Sequence, residues 1–335
     1  MKLFFSFCFL LFLSSCAITT VSNEQVNGLS YVASREAIDT THIKPVIDMH
    51  ANYASIMPFG FLKNIEHPEI VFDNENQWFG ETKGGSKQYI EALKNHDIKI
   101  MLKPQIWVWK GEFTGTIEMT SEKDWKLLET TYSTFIIEFA ELAEELDVEI
   151  FCIGTELEKF VENRPSYWKN LIQDIRAVYT GKLTYAANWD EFKRTPFWDV
   201  LDFIGIDAYF PVSEEKTPTV EECKSNWNTH KLAIKSVVIQ YDKPVLFTEF
   251  GYRSVDYSGK EPWKSDRNMS EVNLVAQTNT TQALFETFWN EPWFSGGFVW
   301  KWHHNYEHVG GIENTQFTPQ NKPVAEVIKK IYASY

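Results

Sequence analysis

Two glutamates occupy positions where a carboxylate must have a partner or a task. Glu156 follows the run Ile153-Gly154-Thr155, and Glu249 follows Leu246-Phe247-Thr248, so each comes directly after an apolar, strand-like segment. Flanked by Cys152 and Ile153 or by Phe247 and Phe250, neither has the surroundings of an ordinary solvated surface acid. Two carboxyl groups facing each other across a cleft can cleave a glycosidic bond. One protonates the leaving oxygen while the other attacks the anomeric carbon or activates water.

Other segments carry what a sugar site needs: amides and acids for hydroxyls, and flat rings for the apolar C–H faces. Lys103-Pro104-Gln105 is followed by Trp107 and Trp109; Asn188-Trp189, Asp207-Ala208-Tyr209 and Trp300-Lys301-Trp302 end further apolar runs. The candidate substrate contacts are Lys103, Gln105, Trp107, Asn188, Trp189, Asp207, Tyr209 and Trp300. The chain has 13 tryptophans, more than a core of this size requires. Trp125 and Trp168 sit on apolar helical faces and belong to packing, whereas Trp107, Trp109, Trp189, Trp300 and Trp302 form an expected aromatic wall around the acid pair.

The elements that position these residues alternate in period. Strands are expected near 29–33, 51–57, 98–104, 148–154, 183–187, 203–207, 245–248 and 297–300, with helical patterns between them. The helical segments are Thr41–Met49, Ser86–Asn95, Glu122–Leu146, Ser166–Tyr179, a short turn at Phe197–Val200, Val220–Gln240, Glu271–Trp289 and Pro323–Tyr332. In the third, Trp125, Leu128, Tyr132, Phe135, Phe139, Leu142 and Leu146 recur at three and four residues, and Ser121 with Asp124 reads as an amino-terminal cap. Eight βα units in one chain predict an α/β fold, a (β/α)8 TIM barrel forming a single catalytic domain over 28–335. In such a barrel the working groups stand at the carboxyl ends of the strands, where both glutamates fall, three units of about 30 residues apart. A doubly wound open sheet is the alternative, but the glycine-rich turn after a first strand is missing, and Gly84-Gly85 reads as part of a loop. The stretches 59–86 and 253–270 lack clear periodicity and read as long loops that shape the cleft.

The chain ends and the charge narrow the partners. Met1-Lys2, an apolar run from Leu3 to Leu13, and Ser14-Ser15-Cys16 form a pattern like a bacterial lipoprotein signal, too short to span a bilayer. This predicts a signal peptide over 1–15, lipidation at Cys16, a tether over 16–27, and a location in the bacterial cell envelope; an ordinary secretory signal is the alternative. The membrane would then be met through a lipid anchor only. Cys152 and Cys223 are expected to be free and buried. With 46 acidic against 32 basic residues and a net charge of -14, nucleic acid is excluded as a partner and a neutral polysaccharide fits better than an anionic one. No cofactor is expected. His303, His304 and His308 lack the companion ligands of a metal shell and read as loop residues, with His303 or Lys301 able to touch substrate. A monomer is expected.

With these residues in hand, the sequence resembles glycoside hydrolase family 113, barrel enzymes typified by endo-β-mannanases. The resemblance spans the mature chain. It rests on Leu102-Lys103-Pro104, Ile153-Gly154-Thr155-Glu156-Leu157, Leu183 to Trp189, Phe203 to Pro211, Phe247-Thr248-Glu249-Phe250-Gly251-Tyr252, and the tail Phe317-Thr318-Pro319-Gln320 with Lys322-Pro323-Val324. It implies a retaining hydrolase of β-1,4-mannan or glucomannan, with Glu156 as general acid/base and Glu249 as nucleophile. It further implies that Tyr209 holds Glu249 and that Trp300 stacks beneath the sugar being cleaved. Thr155 matches the family's Gly-Thr-Glu pattern, while Gln105 stands where some relatives carry His. Such a mechanism requires Glu156 to keep its proton while Glu249 is ionised, so Glu156 should have the higher pKa. The alternatives are a same-fold hydrolase of another β-glycan and a surface lipoprotein that binds glycan without cutting it.

Overall fold

In the computed structural model, which describes residues 25–265 and 271–335, eight parallel strands close into a barrel. In chain order the strands are β1 (Val26–Tyr31), β2 (Tyr53–Ile56), β3 (Phe59–Leu62), β4 (Lys99–Leu102), β5 (Gln105–Val108), β6 (Ile150–Thr155), β7 (Lys182–Asn188), β8 (Ile204–Asp207), β9 (Val245–Phe250) and β10 (Phe294–Trp302). The barrel order is β1-β10-β9-β8-β7-β6-β4-β2, with β2 also paired to β1, and all eight expected strands are present. The TIM-barrel reading therefore holds, and the open sheet is excluded by closure.

Alternation along the strands builds two packed layers. Cys152 joins Val26, Met101, Ile150, Ala186, Leu246 and Phe298 in a small cluster inside the barrel. Its neighbours Phe151 and Ile153 point the other way into the large core under the helices. The helices are α1 (Thr40–Asp48), α2 (Lys83–Lys94), α3 (Glu122–Glu145), α4 (Glu158–Asn163), α5 (Pro165–Val178), α6 (Val220–Tyr241), α7 (Leu274–Phe288) and α8 (Pro323–Tyr332). Helix α3 buries Trp125, Leu128, Tyr132, Phe135, Phe139 and Leu142, and its amino terminus is capped by Ser121 Oγ, which accepts from the Asp124 amide at 3.1 Å. Trp168 is fully buried from α5, and Cys152 and Cys223 are free and buried.

Three readings need correction. Val26 and Asn27 are buried within β1, where Asn27 Oδ1 accepts from the Trp289 indole at 3.0 Å, so no tether extends to residue 27. The signal peptide, Cys16 and the start of the tether lie outside the described residues. Gly84 and Gly85 belong to the first turn of α2 rather than to a loop: Thr82 Oγ1 caps the Gly85 amide at 3.0 Å, and a Cβ on Gly85 would lie 1.7 Å from the Phe79 carbonyl oxygen. Residues 59–86 also hold β3, which follows β2 and pairs in parallel with β5, the strand after β4, as a separate two-stranded sheet. Helix α4, directly after Glu156, was not expected. Among the described residues no helix is long and apolar enough to cross a membrane.

Candidate active site

The carboxyl ends of neighbouring strands bring the polar candidates together. Asn188 ends β7, Asp207 ends β8 and Glu249 lies in β9; their registers align Asn188 with Asp207 and Asp207 with Glu249. Lys103 follows β4 directly, and Glu156 follows β6. At these positions the backbone is fixed by the sheet, so the side chains project from a rigid base.

Glu249 is held by three donors. Oε1 accepts from Lys103 Nζ at 2.5 Å and from Gln105 Nε2 at 3.0 Å, and Oε2 accepts from the Tyr209 hydroxyl at 2.8 Å. Lys103 also donates to Asp207 at 3.1 and 3.3 Å, and Thr248 Oγ1 donates to Asp207 Oδ1 at 2.7 Å. Burial opposes the Lys103 charge, yet Asp207 and Glu249 together hold its pKa above the ordinary lysine value. Burial and the Glu249 carboxylate push Asp207 up to about 7, against the pull of Lys103 and Thr248.

Glu156 is in the opposite situation. Its carboxyl is half-buried and, among the described residues, accepts no hydrogen bond from the protein. Desolvation first, then the charges of Asp207 and Glu249, raise its pKa well above the ordinary carboxylate value, with Lys103 opposing. The pair is thus asymmetric: one carboxyl is held by three donors, an ammonium among them, while the other is biased toward its protonated form. The backbone of Glu156 is in the left-handed region, φ 49°. For a residue with a side chain this costs of order 1 kcal/mol and must be repaid by neighbouring contacts.

The remaining candidates divide. Trp189, half-buried, stacks on Trp263 at 5.1 Å with 18° between planes, tying the end of β7 to the loop after β9. Trp107 on β5 is 50% exposed and Trp109 beyond it 63% exposed, so both rings are available to a ligand. Trp300 is partly exposed, with Lys301 Nζ 5.5 Å from its ring centroid. The close approach of β9 to this residue requires Gly251, where a Cβ would lie 2.6 Å from the Trp300 carbonyl oxygen. Trp302 departs from the expected wall: it is fully buried and packs on Tyr306 at 5.7 Å. Lys103 and Asp207 depart from the expected role too. Both are sealed from solvent behind Glu249: Lys103 donates to that carboxylate, and Asp207 in turn accepts from Lys103.

His304 faces His42, ring to ring at 5.4 Å, and His303 is half-buried, its amide donating to Gln320 Oε1 at 2.7 Å. Among the described residues no group of histidine, cysteine and acidic side chains is placed to hold a metal ion. Thr248, Tyr185 and Glu191 are part of the site's support but were not picked out from the sequence. Glu191 is the least visible of them, a buried acid inside the polar run Asn188-Trp189-Asp190-Glu191-Phe192-Lys193-Arg194.

The family model described as Glycoside Hydrolase Family 113 matches residues 31–322. Among solved structures, the family 113 β-mannanase AaManA from Alicyclobacillus acidocaldarius, in complex with ManMIm, superposes with a TM-score of 0.81 at 22% identity, covering 93% of this chain and 98% of that one. A family 113 β-1,4-mannanase superposes at 0.80 with 23% identity, covering 93% and 100%. A β-glucuronidase from Faecalibacterium prausnitzii shares the barrel at 0.61 and 13% identity over 93% of this chain and 49% of that one. No curated protein matches the chain.

Proposed function

The chain belongs to glycoside hydrolase family 113, and from that premise we propose that it cleaves β-1,4-mannan or glucomannan with retention, using Glu249 as nucleophile and Glu156 as general acid/base. It is a glycoside hydrolase acting on a β-linked glycan; the mannan preference, the mechanism and the residue roles are the proposal. The observation that carries it is the asymmetry of the two carboxyls, Glu249 fixed by Lys103, Gln105 and Tyr209, Glu156 without a donor and pushed toward its protonated form.

In the first step Glu249 attacks the anomeric carbon, the glycosidic C–O bond breaks, and the Glu156 proton passes to the leaving oxygen. A glycosyl ester on Glu249 results. In the second step Glu156, now a carboxylate, takes a proton from water as its oxygen attacks the same carbon, and Glu249 leaves as the free carboxylate. Tyr209 and Gln105 keep the attacking carboxylate oriented in both steps; Gln105 thereby serves the nucleophile. Trp300, Trp189, Trp107 and Asn188 are the groups assigned to the sugar chain. The mannan preference draws on the two superposed enzymes whose names state that activity.

Hydrolysis of mannan, glucomannan, xylan and mixed-linkage glucan by the purified domain, with anomeric configuration followed by NMR, tests the assignment. Release from the two mannans with a β-anomer formed first supports it; release only from xylan or glucan, or an α-anomer, overturns it. Glu249→Ala should abolish turnover, and Glu156→Ala should spare substrates with good leaving groups. The amino-terminal signal motivates the further proposal that the enzyme works tethered through Cys16 in the cell envelope.

A further inference from the structure

Beneath the acid/base, two successive backbone amides are tied to one strand. The Glu156 amide donates to the Ala186 carbonyl at 2.8 Å, and the Leu157 amide donates to the Tyr185 hydroxyl at 2.7 Å. That hydroxyl in turn donates to Glu191 Oε1 at 2.7 Å, and Glu191 Oε2 accepts from the Asn188 amide at 3.0 Å. Glu191 is 2% exposed and Tyr185 is fully buried, its ring packed against Trp168 and Phe197. One buried carboxyl group therefore fastens, directly or through one phenol, the backbone on either side of the cleft floor: the step into α4 just after Glu156, and the turn after Asn188.

Glu156 needs such fastening because its left-handed backbone is not a conformation that a glutamate holds unaided. An acid that must deliver a proton to one oxygen is sensitive to displacements of an ångström. A buried carboxyl group is also an expensive way to fill space, since Leu or Met would pack there without a desolvation cost. The groups facing Glu191 are Tyr185 and the Asn188 amide, and within electrostatic reach lie Glu156, Asp207, and Glu158 with its partner Arg194. No cation bonds to it among the described residues. Its hydrogen bonds all run to the backbone or phenol that frame the cleft.

We propose that Glu191, acting through Tyr185, is a positioning residue that fixes the proton-donating geometry of Glu156. The proposal rests on Glu156 being the acid/base. A merely structural Glu191 would lower stability and reduce all substrates alike. A positioning role acts on the step that needs the proton.

The test compares kcat/KM for a manno-oligosaccharide, whose leaving group must be protonated, with that for a manno-oligosaccharide carrying a dinitrophenyl aglycone, whose leaving group need not be. Tyr185→Phe removes the Leu157 acceptor and the donor to Glu191 Oε1, and leaves the Asn188 amide on Glu191 Oε2. It should lower the first value about tenfold to about a hundredfold and the second less than about threefold, with KM little changed. Glu191→Ala should show the same selectivity, and Glu191→Gln, whose single amide oxygen can keep the Tyr185 bond, should recover part of the loss. Equal losses on both substrates, or none on either, from a folded Tyr185→Phe enzyme would overturn the proposal. Glu156→Ala is the control: if that variant lacks the leaving-group selectivity the acid/base assignment fails, whereas if it shows it and Tyr185→Phe does not, only the positioning role fails.

Discussion

Lys103 Nζ lies 2.5 Å from Glu249 Oε1 and 3.1 Å from Asp207 Oδ1, so a single sealed ammonium binds two strand-end carboxylates at once. Removing it leaves two buried acids without the ammonium they share. Breaking a buried pair from one side typically costs about 3 to 5 kcal/mol. Lys103→Met should accordingly lower the unfolding free energy by about that much and reduce kcat by about a hundredfold or more, because Glu249 loses one of its three donors. Chemical denaturation and steady-state kinetics check the two arms. A variant with wild-type kcat would show that the lysine serves only the fold.

Glu191 also leaves a mark on stability. Burial, against the hydrogen bonds from Tyr185 and Asn188, pushes its carboxyl up to about 8 from an ordinary 4.5. Between these values the folded chain retains a proton that the unfolded chain has lost, so this group makes stability fall as pH rises through that window. Asp207, up at about 7, adds in the same sense, and His303, down at about 4, opposes it below its ordinary 6.5. The difference between wild type and Glu191→Gln isolates the first. Measured by denaturation from pH 4.5 to 8, wild type should lose stability relative to the variant as pH rises. A difference that stays constant across the range would show that Glu191 does not titrate there.

The barrel was legible because its strands are short apolar runs and its helices repeat at three and four residues, as in α3. Glu156 and Glu249 were legible for the same reason, each standing at the end of such a run. What escaped depends on contacts distant along the chain. Lys103 meets Asp207 across 104 residues and Glu249 across 146, and no local signal separates a lysine buried in that way from one that touches a ligand. Pro104 suggested that a strand had ended, whereas β5 begins at Gln105 and carries that side chain to Glu249. Glu191 sits among charged neighbours and looks solvated until Tyr185 is seen to face it. Trp302 and Trp300 are two residues apart on one strand and look equivalent, but the first turns into the core and the second stays partly open.

The amino-terminal reading has its own check. If Cys16 carries the lipid, metabolic labelling with a palmitate analogue should mark the full-length chain in cells and partition it into detergent. Cys16→Ala should abolish both without altering the activity of the purified catalytic domain, since the barrel starts only at Val26. A labelled Cys16→Ala chain would rule out this site of attachment.

Trp300 and Lys301 close the same strand end and are separable by experiment. Trp300 offers a partly exposed indole at the carboxyl end of β10, one strand from Glu249, and an aromatic face there is suited to the apolar side of a pyranose. Lys301 is half-buried, forms no ion pair among the described residues, and is drawn below the ordinary lysine pKa mainly by desolvation, with the Glu249 charge opposing. A desolvated ammonium beside Glu249 gains a partner when a sugar hydroxyl accepts a hydrogen bond from it. Trp300→Ala should therefore lower kcat/KM by about 2 to 3 kcal/mol through both parameters, since a ring beneath the reacting sugar binds ground state and transition state alike and also orients them. Lys301→Met should raise KM about tenfold with kcat changed less than about threefold, the pattern of an interaction made equally in both states. Steady-state kinetics on a soluble manno-oligosaccharide separates the two, and a Lys301→Met enzyme with an unchanged KM and a lowered kcat would place that ammonium with the reacting groups instead.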